Sequence, residues 1–344
     1  MKLGRKLITA AAALLASVSL AHADGELHIY NWGNYTNPDL IKKFEQTYNV
    51  KVTVTDYDSN ETALAKIRQG GHGFDVAMPS QSHLPIWIVE GLLLETNPGQ
   101  MENAKNIAPE WANPDFDPGR KYSVPWLWGT IGVVVNTDVY NGPADSWGII
   151  FDPPEELKGK VNVVPEMSDI MYAAIKYNGG KLCEDDKEIL RKARDTLVNA
   201  KKNWVAMEYG TIEKMVSGDF SAAVDWNGSA MRQRLQKPAI QYFYPKEGFT
   251  YWSDNAVVLK DAKNVENAKL FQNFIMDPEN AAMLSAFARY ANGIKGSEPF
   301  MPEDMRGANE LVVPEDKKGV AEFMRLCDPK TQELYTRIWT ELQK

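Results

Sequence analysis

Aromatic side chains cluster in three short segments of the chain, the last two beside acids, and together these residues could bind an organic cation. The segments are residues 30–35, the pair Asp225-Trp226, and the run Trp252-Ser253-Asp254. An indole face attracts a cation by about 0.5–2 kcal/mol, depending on how far both groups are removed from water. A carboxylate supplies the charge-assisted hydrogen bond that a buried ammonium group requires. The pattern favours a box for a small cation, although core or surface aromatics beside solvated acids would explain any one segment alone.

The elements that would position these residues begin with a βαβαβ pattern. A strand around Leu27 and Ile29 runs into Trp32, and Asn37 with Pro38 begins an amphipathic helix. The next expected elements are a strand at 50–54, a helix that Asn60 caps and that ends at Gly70-Gly71, and a strand at 75–78. Such alternation predicts a largely parallel sheet, whose ligand crevices lie where the strands end.

The alternation of strands and helices resumes in the second half of the chain. Strands are expected at 129–135, 161–164, 221–224, 239–244 and 256–259, and helices at 168–177, 184–201, 229–236, 265–276, 278–288 and 330–342. The pattern shows no fixed-period repeat. It predicts an α/β protein of two lobes with a cleft between them.

The pattern of the first 23 residues predicts a cleavable secretory signal. Lys2, Arg5 and Lys6 precede an uncharged apolar run at 7–20, and Ala21-His22-Ala23 supplies the small residues of a cleavage site. The run of 14 residues is too short for a stable membrane span. We therefore expect a free protein of 321 residues in the periplasm, long enough for two lobes with their own cores.

The net charge of the chain narrows the possible binding partners only slightly. Removal of the signal changes the formal net charge from −8 to −11, and an acidic protein repels nucleic acid and anionic lipid.

Cys183 and Cys327 are the only cysteines. In an oxidising compartment they could form one disulfide that closes a long loop, or they could be two separate buried thiols.

The sequence lacks the motifs that common enzymatic functions require. The sequence contains no His-x-x-x-His or Cys-x-x-Cys metal spacing, no Gly-x-Ser-x-Gly nucleophile motif, and no Gly-x-Gly-x-x-Gly or P-loop run after the first strand. Only four histidines are present, one of them in the expected signal. We therefore predict a protein that is not an enzyme and that needs neither a cofactor nor a metal ion.

Five co-linear segments resemble the periplasmic spermidine/putrescine-binding proteins of bacterial polyamine ABC importers, which are extracellular solute-binding proteins. They are Tyr-Asn-Trp-Gly-Asn-Tyr at 30–35, Ser-Asn-Glu-Thr at 59–62, Tyr-Ser-Val-Pro-Trp-Leu-Trp-Gly at 122–129, Trp-Asn-Gly-Ser-Ala at 226–230, and Tyr-Pro-Lys-Glu-Gly at 244–248. The resemblance spans essentially the whole chain after the signal.

The resemblance implies a two-lobed periplasmic binding protein of type II, in which each lobe is a mostly parallel sheet flanked by helices. Lobe one would comprise residues 24–129 and 253–298, and lobe two residues 130–252 and 299–344. The implied ligand is a small cationic polyamine, the implied partners are a membrane permease and its ATPase, and the protein itself is expected to be a monomer.

The resemblance also implies which residues bind the ligand, position by position along the family's motifs. Ammonium groups would meet carboxylates, and aromatic rings would cover the methylenes between them. The implied residues are Trp32, Asn34, Tyr35, Ser80, Glu166, Asp169, Trp226, Trp252, Asp254 and Tyr290.

Two departures from the family's pattern leave the choice of amine open. The family more often has an acid at Asn34, and some members have an aromatic ring at Ser82. Asp58 and Asp225 are candidates to replace the missing charge, but Asp225 would point away from Trp226 if the strand continues there.

A site with fewer carboxylates also admits a zwitterion such as γ-aminobutyrate or an opine. Its carboxylate would need a basic partner, for which Arg232 and Arg234 on the following helix are candidates, unless they are solvated surface residues. A periplasmic ligand sensor would have the same sequence features.

Overall fold

The computed structural model describes residues 25–344, so the expected signal segment lies outside the described residues. The strands are β1 (Gly25–Trp32), β2 (Val50–Tyr57), β3 (Val76–Ala77), β4 (Ser123–Asn136), β5 (Val161–Asn162), β6 (Trp204–Ala206), β7 (Ala222–Trp226), β8 (Ile240–Phe243), β9 (Phe249–Val258) and β10 (Ala321–Phe323). The helices are α1 (Pro38–Tyr48), α2 (Asn60–Arg68), α3 (Leu84–Val89), α4 (Pro109–Ala112), α5 (Gly148–Phe151), α6 (Met167–Tyr177), α7 (Lys187–Ala200), α8 (Thr211–Ser217), α9 (Asn227–Gln236), α10 (Val265–Ile275), α11 (Pro278–Ala288) and α12 (Pro329–Leu342).

The strands form a mixed sheet in the order β2-β1-β3-β9-β4-β7-β5-β6, with β10 beside β9 and β8 beside β4. At one end β2, β1 and β3 are parallel, and at the other end β7, β5 and β6 are parallel. The long strands β4 and β9 lie between these groups. They pair antiparallel with each other, with β3 and with β7, whereas β10 runs parallel to β9. This arrangement gives the α/β fold of two parallel groups that the sequence predicts.

Strand β4 belongs to both halves of the sheet. Its residues from Ser123 to Thr130 pair with β9, and its residues from Ile131 to Asn136 pair with β7 and β8. A chain that changes partners along its length joins the two halves directly, because the same extended backbone carries both sets of hydrogen bonds.

The first half of the sheet is covered on both faces, as parallel sheets usually are. Leu27 and Ile29 of β1 face a core formed with α1, α10 and α11, whereas Tyr30 faces a second core that includes Leu64 of α2 and Trp87 of α3. The alternation follows from the two-residue period of a strand. It places the end of β1 between two well-packed layers.

The second half of the sheet has a separate core. Val133 and Val135 of β4 and Val161 of β5 pack with side chains of α6, α7 and α12, including Leu197 and Trp339. Trp226 contacts this core and also the core of the first half. The cleft residues therefore lie where two independent hydrophobic cores approach each other.

Several element boundaries differ from those expected. Helix α2 is capped by Ser59, whose Oγ accepts a hydrogen bond from the Thr62 N–H at 3.1 Å, so the expected cap at Asn60 is wrong by one residue. Strand β4 begins at Ser123 and β9 at Phe249, both well before the expected positions. The sequence patterns also did not predict α3, α8, β6 and β10.

Cys183 and Cys327 form a disulfide, with their Cα atoms 5.2 Å apart. The bond joins the loop between α6 and α7 to the segment between β10 and α12. Of the two possibilities that the sequence left open, the structure shows the bridge. Within residues 25–344, no helix is both long enough and apolar enough to cross a bilayer.

Candidate ligand-binding site

The first wall of the site is built where β1 and β2 end side by side. Trp32 is the last residue of β1, and its register partner Tyr57 is the last residue of β2. The Trp32 indole N–H and the Tyr57 hydroxyl both donate to the carbonyl of Met78, at 3.0 Å and 2.6 Å. Both rings are thereby fixed with their centroids 4.7 Å apart, and the half-buried Trp32 keeps one face towards the cavity.

Asp254 supplies a buried negative charge beside this wall. Ser80, which follows β3, forms a β-bridge with Asp254 and donates its hydroxyl to the carboxylate at 2.7 Å. The Asn60 amide holds Ser80 in place through its Nδ2, which lies 3.1 Å from the Ser80 Oγ. Asp254 is only 5% exposed, and burial raises its pKa to about 7 against the opposing effect of the Ser80 hydrogen bond.

Three aromatic residues line the cavity next to Asp254. The Tyr290 ring contacts Tyr35 edge-on at 5.8 Å and Trp252 edge-on at 4.9 Å. Burial, together with the nearby charge of Asp254, raises the pKa of Tyr35 well above its ordinary value. Among the described residues, the buried Trp252 indole N–H has no hydrogen-bond partner, and the buried Tyr35 hydroxyl has only the nearby Asp254 carboxylate to interact with, without ideal hydrogen-bond geometry. Buried polar atoms of this kind are costly unless a ligand satisfies them.

The opposite wall comes from the second half of the sheet. Glu166 immediately precedes α6, and Asp169 lies in the first turn of that helix. The Tyr209 hydroxyl donates to Glu166 Oε1 at 2.5 Å. The Tyr209 ring lies nearly parallel to that of Trp226, at 11° and with 6.4 Å between the centroids. Acids and rings therefore alternate on this side as well.

Glu166 in this wall is electrostatically coupled to Asp169 and Asp254. Burial raises the pKa of Glu166 to about 8, with further increases from the charges of Asp169 and Asp254, against the hydrogen bond from Tyr209. Burial likewise raises the pKa of Asp169 to about 7, against a hydrogen bond from Trp226. Three carboxyl groups with raised pKa values in one cleft favour a ligand that brings positive charge.

All ten residues predicted from the sequence line one cavity of about 300 Å³. They are Trp32, Asn34, Tyr35, Ser80, Glu166, Asp169, Trp226, Trp252, Asp254 and Tyr290. The structure thus brings them together, and the contact of each with ligand stays a prediction.

Asp225 does not belong to this set. It is fully buried, and its carboxylate accepts hydrogen bonds from the Thr211 hydroxyl, from Gln233 Nε2 at 2.6 Å and from the Trp226 N–H at 2.8 Å. The side chain holds α8, α9 and β7 together on the far side of Trp226. Asp225 therefore cannot replace the acid missing at position 34, whereas Asp58 does line the cavity.

Sequence reasoning missed several further cavity residues, among them Tyr57, Gln81 and Tyr209. Tyr57 had a usable signal, because the strand that contains it ends beside Trp32 in a parallel pair. Tyr209 lies in the loop between β6 and α8, two elements that were not predicted, so no pattern indicated it. Of the two candidate arginines, Arg232 lines the cavity, whereas Arg234 forms an ion pair with Glu310.

The cavity contains no arrangement typical of a metal centre. Within residues 25–344, no group of three or more histidine, cysteine or acidic side chains is placed to hold an ion.

Comparison with known proteins identifies the family. The model of a bacterial extracellular solute-binding protein matches residues 39–306, which is most of the chain. The chain belongs to the bacterial extracellular solute-binding proteins. Proteins of this family bind solutes rather than convert them, so the expectation that the chain is not an enzyme is confirmed.

Several characterised solute-binding proteins are similar over nearly their whole length. The putrescine-binding periplasmic protein SpuD of Pseudomonas aeruginosa is 30% identical, over 96% of this chain and 95% of its own. The putrescine-binding periplasmic protein PotF of Escherichia coli is 29% identical, over 98% and 96%. A solved structure of a putative spermidine/putrescine ABC transporter from Listeria monocytogenes superposes with a TM-score of 0.86 at 31% identity, covering 92% of this chain and 98% of that one. These likenesses confirm the two-lobed α/β fold.

Proposed function

We propose that this solute-binding protein captures a small aliphatic amine of the polyamine class, such as putrescine or spermidine, and delivers it to an ABC importer. The observation that carries the proposal is the set of three carboxyl groups, the buried Asp169 and Asp254 and the half-buried Glu166, which share one cavity with indole and phenol rings. A polyamine alternates ammonium groups with methylenes, so the acids match its charges and the rings match its apolar segments.

The similar proteins support this choice of ligand. Both SpuD and PotF are named as putrescine-binding periplasmic proteins. By the same reasoning we place the protein in the periplasm, with residues 1–23 as its cleaved signal. Its partners would be the permease and ATPase of an importer, and it would act as a monomer.

The mechanism that we propose is closure of two lobes over the amine. We divide the lobes at 24–129 with 253–298 and at 130–252 with 299–344, because β4 and β9 cross between the two halves of the sheet. Closure would remove water from the carboxylates and strengthen each ammonium contact. The greater affinity of the closed state for the amine would then drive the shift in population.

Titration calorimetry with putrescine, spermidine and γ-aminobutyrate tests the proposal. The protein should first be unfolded and refolded to remove any bound amine. We expect saturable one-to-one binding of at least one polyamine at neutral pH. Heat from γ-aminobutyrate alone, or from none of the three, would overturn the polyamine assignment.

A further inference from the structure

Arg232 places a positive charge in a cavity that is otherwise built for cations. It lies on α9, one turn after Ser229, and lines the same cavity as the three acids. Its guanidinium donates to Asn34, with 3.2 Å to Oδ1 and 3.5 Å to the carbonyl oxygen, and it lies 5.7 Å from the centre of the Phe287 ring. These contacts hold the group at the cavity wall, and the buried Asp225 is near enough for the charge of Arg232 to lower the pKa of that carboxyl.

Within the described residues, no carboxylate forms an ion pair with this arginine. Among residues 25–344, no acidic oxygen lies within the 4.0 Å of an ion pair with Arg232, although Arg234 two residues later is paired with Glu310. Glu310 is almost completely buried. The two arginines of the helix therefore differ, because Arg234 forms a structural ion pair whereas Arg232 lines the cavity without one.

The cavity holds charged groups of both signs. Ser80 donates to Asp254 and Tyr209 donates to Glu166, and the charge of Asp254 contributes to the raised pKa of Glu166. Arg232 meets the amide and the carbonyl of Asn34, and Ser229 one turn earlier lies 3.1 Å from the Tyr290 hydroxyl. A ligand with an ammonium among the acids therefore meets a positive charge where its chain reaches Asn34.

We propose that Arg232 is a specificity-determining residue that disfavours a terminal ammonium beside Asn34. The inference rests on the proposed function, which places an amine among the acids. Like charges opposed in a partly desolvated site repel each other, so they are an effective means of rejecting a wrong ligand. The site then favours an amine whose charges all fit among the acids, or whose far end is anionic, over the longer spermidine.

Calorimetry with Arg232→Gln tests this assignment, with putrescine, spermidine and γ-aminobutyrate as probes. Removal of the positive charge should strengthen spermidine binding by about tenfold or more and weaken γ-aminobutyrate binding, with little change for putrescine. Arg232→Lys keeps the positive charge and should keep the wild-type order of affinities for the three ligands. Arg234→Gln is the matched control on the same helix, and it should leave the relative affinities unchanged even if it lowers stability.

The pattern of affinity changes among the three ligands distinguishes a failure of this inference from a failure of the proposed function. Opposite changes for spermidine and γ-aminobutyrate, which become smaller as salt is added, would support charge selection by Arg232. Equal changes for all ligands, or none, would overturn the inference while leaving amine binding intact. Absence of amine binding to wild type and variants alike would overturn the proposed function and the inference with it.

Discussion

At Asp254, burial and charge compete, and the competition explains why the cavity suits an ammonium group. Burial favours the protonated acid, and the hydrogen bond from Ser80 favours the carboxylate. A ligand ammonium adds a charged partner for the ionised form and so shifts the balance. The same reasoning applies to Glu166, which accepts a hydrogen bond from the Tyr209 hydroxyl.

We predict that Asp254→Asn weakens polyamine binding by about 3–5 kcal/mol, because an ammonium group would then be buried without its main counter-charge. The amide is nearly isosteric and can still accept the Ser80 hydrogen bond, so the fold should persist. Calorimetry with putrescine measures the loss. Asp261→Asn removes an exposed acid from the same half of the molecule and serves as control. Unchanged affinity in Asp254→Asn would remove this residue from the site.

At the scale of elements, the two long strands decide where the site residues lie. The sequence predicted only the apolar part of β9, because Ser253, Asp254 and Asn255 interrupt the run of hydrophobic residues. The structure pairs these buried polar residues individually: Gln81 Oε1 accepts from the Ser253 N–H at 2.6 Å, and Asn255 accepts from Arg120 at 2.7 Å. Partners from distant parts of the chain cannot be inferred from local periodicity.

Local signals were sufficient for other elements. Asn37 and Pro38 fixed the start of α1, and the spacing of apolar residues gave α10, α11 and α12 to within about one residue. The site residues came from motifs resembling a family rather than from periodicity. Short elements such as β6 and α8 gave no comparable signal, because a few residues cannot display a hydrophobic period.

The disulfide is the element-scale feature with the most direct consequence for stability. Cys183 and Cys327 are 144 residues apart, so the bond closes a long loop and restricts the unfolded chain strongly. We predict that replacing both cysteines by serine lowers the free energy of unfolding by about 2–5 kcal/mol, as measured by urea denaturation. Either single variant should lose about as much as the double variant. Equal stability of wild type and double variant would contradict the prediction.

At the scale of the whole molecule, the three cavity acids couple stability to pH. Their pKa values in the folded protein are about 7 to 8, well above those of exposed carboxyl groups. The folded state therefore binds more protons than the unfolded state at neutral pH. By linkage, stability then falls as pH rises through this range.

We predict that the melting temperature of the ligand-free protein decreases between pH 6.5 and 8.5, whereas putrescine affinity increases, because the acids ionise while the amine stays protonated. Thermal unfolding with and without putrescine measures both effects. The window lies above the pKa of His72, which burial lowers. Asp254→Asn should make the melting temperature decrease less steeply with pH. A melting temperature that rises across the window would show that these acids are ionised without ligand.

A crystal structure of the protein with putrescine tests the central claim most directly, which is that the three acids and the aromatic walls hold one aliphatic amine. We predict an amine nitrogen within hydrogen-bonding distance of Asp254 and another group facing Glu166 or Asp169, with methylenes against Trp32, Trp226 or Trp252. Putrescine bound outside this cavity, or inside it with no nitrogen near a carboxylate, would contradict the account.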